Sequence, residues 1–171
     1  GGTAGWMAAI LFAKQWGDKD CAITLIESSD IGIIGVGEGS TPALKQFFDQ
    51  LNIEESEWMP ACNATYKCGI RFDKWSHRKG FSSYFHPFAS MLDKHCLPIF
   101  IHNSQSRLKG LDVCTTPDRF FITNLLAKKC LAPKTPEHFP FDMLYGYHFD
   151  SGLLGQFLKR KSISLGVRHR F

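Results

Sequence analysis

The chain opens on Gly1-Gly2-Thr3-Ala4-Gly5 and runs directly into the apolar stretch Trp6-Met7-Ala8-Ala9-Ile10-Leu11-Phe12-Ala13. Few folds use such a junction. Glycines at this spacing let the backbone turn tightly, approach a pyrophosphate, and enter a helix that packs close to a sheet with its amino end facing negative charge. Residues 6–16 are apolar on nearly every side, which predicts a buried helix ended by Gly17 and Asp18. Cys21 to Ile26 reads as a short buried parallel strand with Glu27 at its carboxyl end. A carboxylate at that place can accept hydrogen bonds from ribose hydroxyls. Turn, helix, strand and acid together predict a dinucleotide site; the plainer alternative for Glu27 is a cap on the turn that follows it.

A glycine turn of this kind normally follows a buried strand, and a Gly before Gly1 would complete Gly-x-Gly-x-x-Gly with Gly2 and Gly5 as its second and third glycines. At the other end, Gly166-Val167-Arg168-His169-Arg170-Phe171 reads as a strand just beginning. The expectation is therefore a piece of a longer protein.

Residues 32–42, Gly-Ile-Ile-Gly-Val-Gly-Glu-Gly-Ser-Thr-Pro, form a second glycine-rich loop, with Pro42 suited to the first turn of a helix over 43–51. Glu38 stands where a phosphate-binding P-loop needs Lys, which disfavours a triphosphate and suits polar atoms of a flavin or ribose; a simple turn into the helix is the alternative. A short helix follows around Glu54 to Met59. From Thr65 to Trp75, Tyr66, Cys68, Ile70 and Phe72 alternate with Lys67, Gly69, Arg71 and Asp73, the period of a strand with one polar face carrying Lys67 and Arg71. The stretch 76–118 is irregular and rich in aromatics and His, either an excursion that walls a pocket or a packed surface insertion. Arg119 to Leu131 has helical spacing, a Pro-rich loop (Pro133, Pro136, Pro140) follows, and Ser151 to Lys161 predicts an amphipathic helix before the last strand.

Composition narrows the function classes. The 171 residues are 44% hydrophobic and 13% aromatic, enough for an ordinary packed core, so disorder and collagen-like repeats are excluded. A net charge of +4 is spread along the chain apart from Lys159, Arg160, Lys161, Arg168 and Arg170, which argues against nucleic acid. The six cysteines make no Cys-x-x-Cys pair and the seven histidines no His-x-x-x-His, so a metal site of familiar spacing is not expected. Without a signal-peptide h-region or an apolar run near the ~20 residues of a membrane span, the expectation is reduced thiols in a cytoplasmic protein with no membrane partner.

The order of these segments resembles the flavin-dependent tryptophan halogenases. The resemblance is carried by Gly1 to Ala9, by Gly35-Val36-Gly37-Glu38-Gly39-Ser40-Thr41-Pro42, by Phe47-Phe48 and by Glu57-Trp58-Met59. It continues through Asn63 to Phe72 with Trp75, Tyr84-Phe85-His86-Pro87-Phe88, and Tyr147-His148-Phe149-Asp150. It implies an α/β fold: an FAD-binding, Rossmann-like parallel sheet with flanking helices and an inserted, β-containing substrate region. On that plan residues 1–62 are the dinucleotide-binding part, 63–118 the inserted region, and 119–171 the return to the FAD-binding domain.

The same resemblance implies reduced FAD (FADH2) supplied by a separate NAD(P)H-dependent flavin reductase. Oxygen and a chloride or bromide co-substrate then yield hypohalous acid, which a lysine directs to an aromatic small-molecule substrate. That lysine matches Lys67. The flavin contacts match Gly1, Gly2, Thr3, Ala4, Gly5 and Glu27, with Asp30 and Glu38 as further members, and a homodimer is a candidate assembly. Two departures stand out: the family's Trp-x-Trp-x-Ile-Pro segment does not occur here, and the glutamate that partners the lysine lies in the family's later half. The isolated chain is therefore expected to lack halogenase activity. The alternatives are a flavin monooxygenase or other oxidoreductase of the same fold, and an inactive truncated flavin-binding protein.

Overall fold

The computed structural model describes residues 1–171 apart from Ile33, Ile34 and Val36 of the second glycine loop and Phe81 of the aromatic stretch. It divides into two compact units, Gly1–Thr65 with Tyr147–Phe171, and Tyr66–Gly146.

The first unit is built on helix α1 (Gly2–Trp16), strand β1 (Thr24–Ile26), strand β2 (Gly37–Gly39) and helices α2 (Ala43–Leu51) and α3 (Glu55–Ala61). α1 starts at the glycines themselves, so the turn and the helix are one element, and Trp6, Ala9, Ile10 and Ala13 are its buried face. α2 buries Leu44, Phe47, Phe48 and Leu51 at helical spacing and ends on Asn52, whose left-handed φ of 56° stops the helix. Strand β3 (Thr65–Lys67) leads into the second unit, which holds strands β4 (Gly69–Phe72) and β5 (Tyr84–Pro87) with helices α4 (Leu97–Leu108) and α5 (Ile122–Lys128). The chain then returns through strand β6 (Gly146–Asp150), helix α6 (Ser151–Ser164) and strand β7 (Arg168–Arg170).

β1 and β7 pair in parallel, Leu25 opposite His169, and α1 lies against α6. β2 pairs antiparallel with β6, Glu38 opposite Phe149. α6 begins where the Asp150 carboxylate accepts the N–H of Leu153 at 2.8 Å, a side-chain cap on otherwise unpaired amides. Between the helices of this unit lies an aromatic stack: Trp58, fully buried, is parallel to Phe48 at 4.2 Å and edge-on to Tyr147 at 4.7 Å. The Tyr147 hydroxyl donates to Glu55 at 2.7 Å.

In the second unit β4 and β5 form an antiparallel ladder, Gly69 opposite Pro87 and Phe72 opposite Tyr84. The strand read from Thr65 to Trp75 is interrupted at Cys68, whose carbonyl accepts the N–H of Phe88 at 3.0 Å. Lys67 and Arg71 therefore sit on separate strands, the first half-buried and the second exposed. Buried Asp93 is the polar anchor of this unit. One carboxylate oxygen accepts the N–H and hydroxyl of Ser90 at 2.7 and 2.9 Å, and the other accepts the N–H of Ile122 at 2.9 Å.

Candidate functional site

The glycine turn and Glu27 lie in direct contact in the first unit. Gly2 takes a left-handed φ of 69°, a conformation that only glycine adopts without strain, and its N–H donates to Oε2 of Glu27 at 3.3 Å. A Cβ on Gly1 would fall 2.0 Å from Oε2 and 2.3 Å from Cβ of Glu27, so the chain can close against the acid only without a side chain there. Gly5 differs: a Cβ would meet Leu25 at an ordinary 3.7 Å, so close helix–strand packing does not demand glycine at this position.

Glu27 is held from three sides. Besides Gly2, its Oε1 lies 2.8 Å from Nε2 of His169 on β7 and 3.5 Å from Nζ of Lys159 on α6. Burial pushes the carboxyl upward in pKa, but the Gly2 amide, the Lys159 charge and His169 outweigh it and the net shift is downward. The acid is therefore an anion across the neutral range.

Thr3 and Ala4 occupy the first turn of α1. The Thr3 hydroxyl donates to the carbonyl of Ser151 at 3.1 Å, while Ala4 is exposed. Ser151 is also what Gly35 of the second glycine loop meets, since a Cβ on Gly35 would lie 2.2 Å from its Oγ. The start of α6 thus joins both glycine loops, a link with no local signal in the sequence. Glu38 is exposed on β2, and Asp30 lies in an exposed bend where Ser29 donates to its carboxylate at 2.9 Å and its N–H reaches Ser28 Oγ at 3.1 Å. Among the described residues neither is joined to Glu27 by a hydrogen bond or ion pair.

Lys67 ends β3 in the second unit, half-buried, with its ammonium 5.7 Å from the centre of the Phe88 ring. Burial lowers its pKa, which favours a neutral, nucleophilic amine. The same unit holds a cleft of about 680 Å³ whose walls include Arg71, Trp75, Tyr84, Thr116, Asp118 and Lys128, the last two ion-paired. Among the described residues no three His, Cys, Asp or Glu side chains are grouped as metal ligands, and no helix is long and apolar enough to cross a membrane.

The family model for tryptophan halogenase matches residues 1–171. The chain is 34% identical to the 7-chloro-L-tryptophan 6-halogenase KtzR of Kutzneria sp. (strain 744), over 99% of this chain and 36% of that protein. It is 33% identical to the tryptophan 6-halogenase SttH of Streptomyces toxytricini, over 99% and 35%. The chain thus spans about a third of the length of the curated relatives it matches. The crystal structure of SttH superposes with a TM-score of 0.78 at 32% identity, covering 99% of this chain and 35% of that one. A flavin-dependent halogenase from Xanthomonas campestris gives 0.74 at 32% identity, covering 99% and 33%. With the parallel β1–β7 pair, the glycine turn and the carboxylate that closes on it, these matches place the chain in the tryptophan halogenase family.

Proposed function

We propose that the protein carrying this chain halogenates tryptophan or a related indole or phenol. Reduced FAD is held at the Gly1–Gly5 turn and Glu27, O2 and chloride or bromide are co-substrates, and a separate NAD(P)H-dependent reductase renews the reduced flavin. The observation that carries this reading is the family match across the whole chain.

The residues present fit a flavin dinucleotide. α1 has neither a side-chain cap from its N-cap residue nor an acid in its first turn, so, apart from the Gly2 N–H that Glu27 takes, its leading amides and its dipole remain available to a pyrophosphate. Glu27, anionic and with one oxygen turned to Gly2, retains lone pairs for ribose hydroxyls. When bound, the reduced flavin supplies the electrons with which oxygen converts halide to hypohalous acid.

The step assigned to this chain's own residues belongs to Lys67. Its amine donates a hydrogen bond to hypohalous acid, or as a neutral base displaces water from it to form a haloamine; either makes the halogen more electrophilic toward an aromatic ring. The half-buried setting beside Phe88 supports the second route, because desolvation enlarges the neutral fraction.

The test is Lys67→Ala in the protein containing this whole chain, assayed with reductase, FAD and bromide. Halogenated product vanishes while flavin affinity stays at the wild-type value. Unchanged product yield overturns the role of Lys67, and a product whose mass is independent of bromide and greater by one oxygen assigns the protein to the monooxygenases.

A further inference from the structure

The Glu27 carboxylate is not held by the glycine turn alone. β7 runs parallel to β1 with His169 opposite Leu25, and the Glu27 N–H donates to the Arg170 carbonyl at 3.1 Å, which continues the ladder one step past the strand. That register delivers the imidazole to the acid, Nε2 to Oε1 at 2.8 Å.

The ring stands between aromatic walls, Trp6 at 5.3 Å and Phe171 at 4.5 Å, and Nε2 is buried with no hydrogen-bond partner of good alignment. Lys159 lies over the same two rings, 5.6 Å from Trp6 and 5.5 Å from Phe171, and reaches Oε1 at 3.5 Å. The charged groups facing the imidazole are therefore Glu27 from β1 and Lys159 from α6. α1 presents only the indole of Trp6, and strand alternation turns Arg168 and Arg170 to the opposite side of β7.

We propose that His169 is a proton-responsive positioning residue of the dinucleotide site: it fixes Oε1 of Glu27, and its protonation tightens flavin binding. This rests on the reading of Glu27 as the ribose carboxylate. With a neutral imidazole the cluster holds one anion and one cation, Glu27 and Lys159. A protonated imidazole leaves a net positive charge beside the amino end of α1, where a pyrophosphate would bind, and Coulomb attraction in that half-buried setting favours the anion. Linkage then requires that bound flavin raise the proton affinity of His169 by the same factor. Since the Glu27 carboxyl is held below its ordinary range, the acid is an anion beside either form of the imidazole.

The experiment is FAD affinity, read by flavin fluorescence from about pH 5.5 to pH 8.5. The protein containing this chain is compared with Glu27→Gln, His169→Gln and His169→Phe. The wild type loses affinity as pH rises, by about tenfold across the window, the scale of one hydrogen bond to a charged group. His169→Gln, which keeps a donor near Oε1 but cannot titrate, binds with no pH slope, and His169→Phe binds weakly throughout. If Glu27→Gln binds FAD as the wild type does, the ribose role of Glu27 is wrong. If Glu27→Gln weakens binding but His169→Gln keeps the wild-type slope, the role of His169 is wrong and that of Glu27 stands.

Discussion

Gly1 and Glu27 are in such close register that a single methyl group on the glycine would sit 2.0 Å from the Oε2 of the acid. The contact includes the Cβ of Glu27 at 2.3 Å, close to the backbone, so rotation of the carboxylate cannot relieve it. Gly1→Ala must therefore push the turn away from β1, and FAD affinity falls by about tenfold or more, the cost of losing a charge-assisted contact. Gly5→Ala is the packing control, read by stability. Its Cβ meets Leu25 at a comfortable distance, so the helix gains about 0.5–1 kcal/mol from replacing glycine, and the melting temperature rises. Thermal unfolding and flavin titration of the two variants check both signs; a Gly1→Ala protein that binds FAD normally refutes the close-approach account.

Trp58 is the second test of how the site is supported. It is fully buried between Phe48 and Tyr147, and Tyr147 lies on β6, the strand that ends on Asp150, the cap of α6. Truncation to alanine removes the indole from a close-packed stack and costs about 3–5 kcal/mol. Trp58→Phe keeps one ring and loses less. Denaturant unfolding followed by circular dichroism should rank wild type, Trp58→Phe and Trp58→Ala in that order.

The sequence made α1, α2 and α6 legible because each repeats its apolar residues at helical spacing beside a recognisable start or stop. It hid α4, where the β-branched pair Ile99 and Ile101 flanks Phe100 and no residue of the helix is buried, so no apolar stripe marks it. The strand through Thr65–Trp75 was half legible: alternation is local, but at the Cys68 break the carbonyl pairs with Phe88, a partner that the alternation does not encode. The candidate site divides in the same way. Gly1, Gly2 and Glu27 follow one another closely enough for spacing to carry information. His169, Lys159 and Ser151 join them only through the β1–β7 register and the placement of α6, which no local pattern encodes.

Cys62 offers a test by pH. Burial, with Asp150 adding and Arg160 opposing, raises its thiol pKa from 9.0 to about 11. Below 9.0 the thiol is protonated in both folded and unfolded chains. Between 9.0 and about 11 the unfolded chain releases that proton while the folded one keeps it, so stability falls as pH rises through this window. Cys62→Ala should lack that share of the alkaline loss. In the native protein at pH 8, Cys62 and the similarly buried Cys68 should resist alkylation while exposed Cys21, Cys114 and Cys130 react, a pattern read directly by mass spectrometry of the labelled peptides.

The role proposed for Lys67 sets function against stability. Its pKa is lowered by burial, which means the folded state favours the neutral amine. At pH values below that lowered pKa the folded chain must carry a desolvated ammonium, and this penalty disappears as pH rises and the amine deprotonates. Lys67→Met keeps an unbranched side chain against Phe88 and removes the charge, so the melting temperature should rise at neutral pH, with the gain shrinking at alkaline pH. The same substitution removes the amine that would carry the halogen, so product formation should be lost in the very variant that is more stable. A residue kept only for packing would show no such opposition. If Lys67→Met melts below the wild type at neutral pH, the buried ammonium is not a cost to this fold and the functional explanation for its presence loses its physical basis.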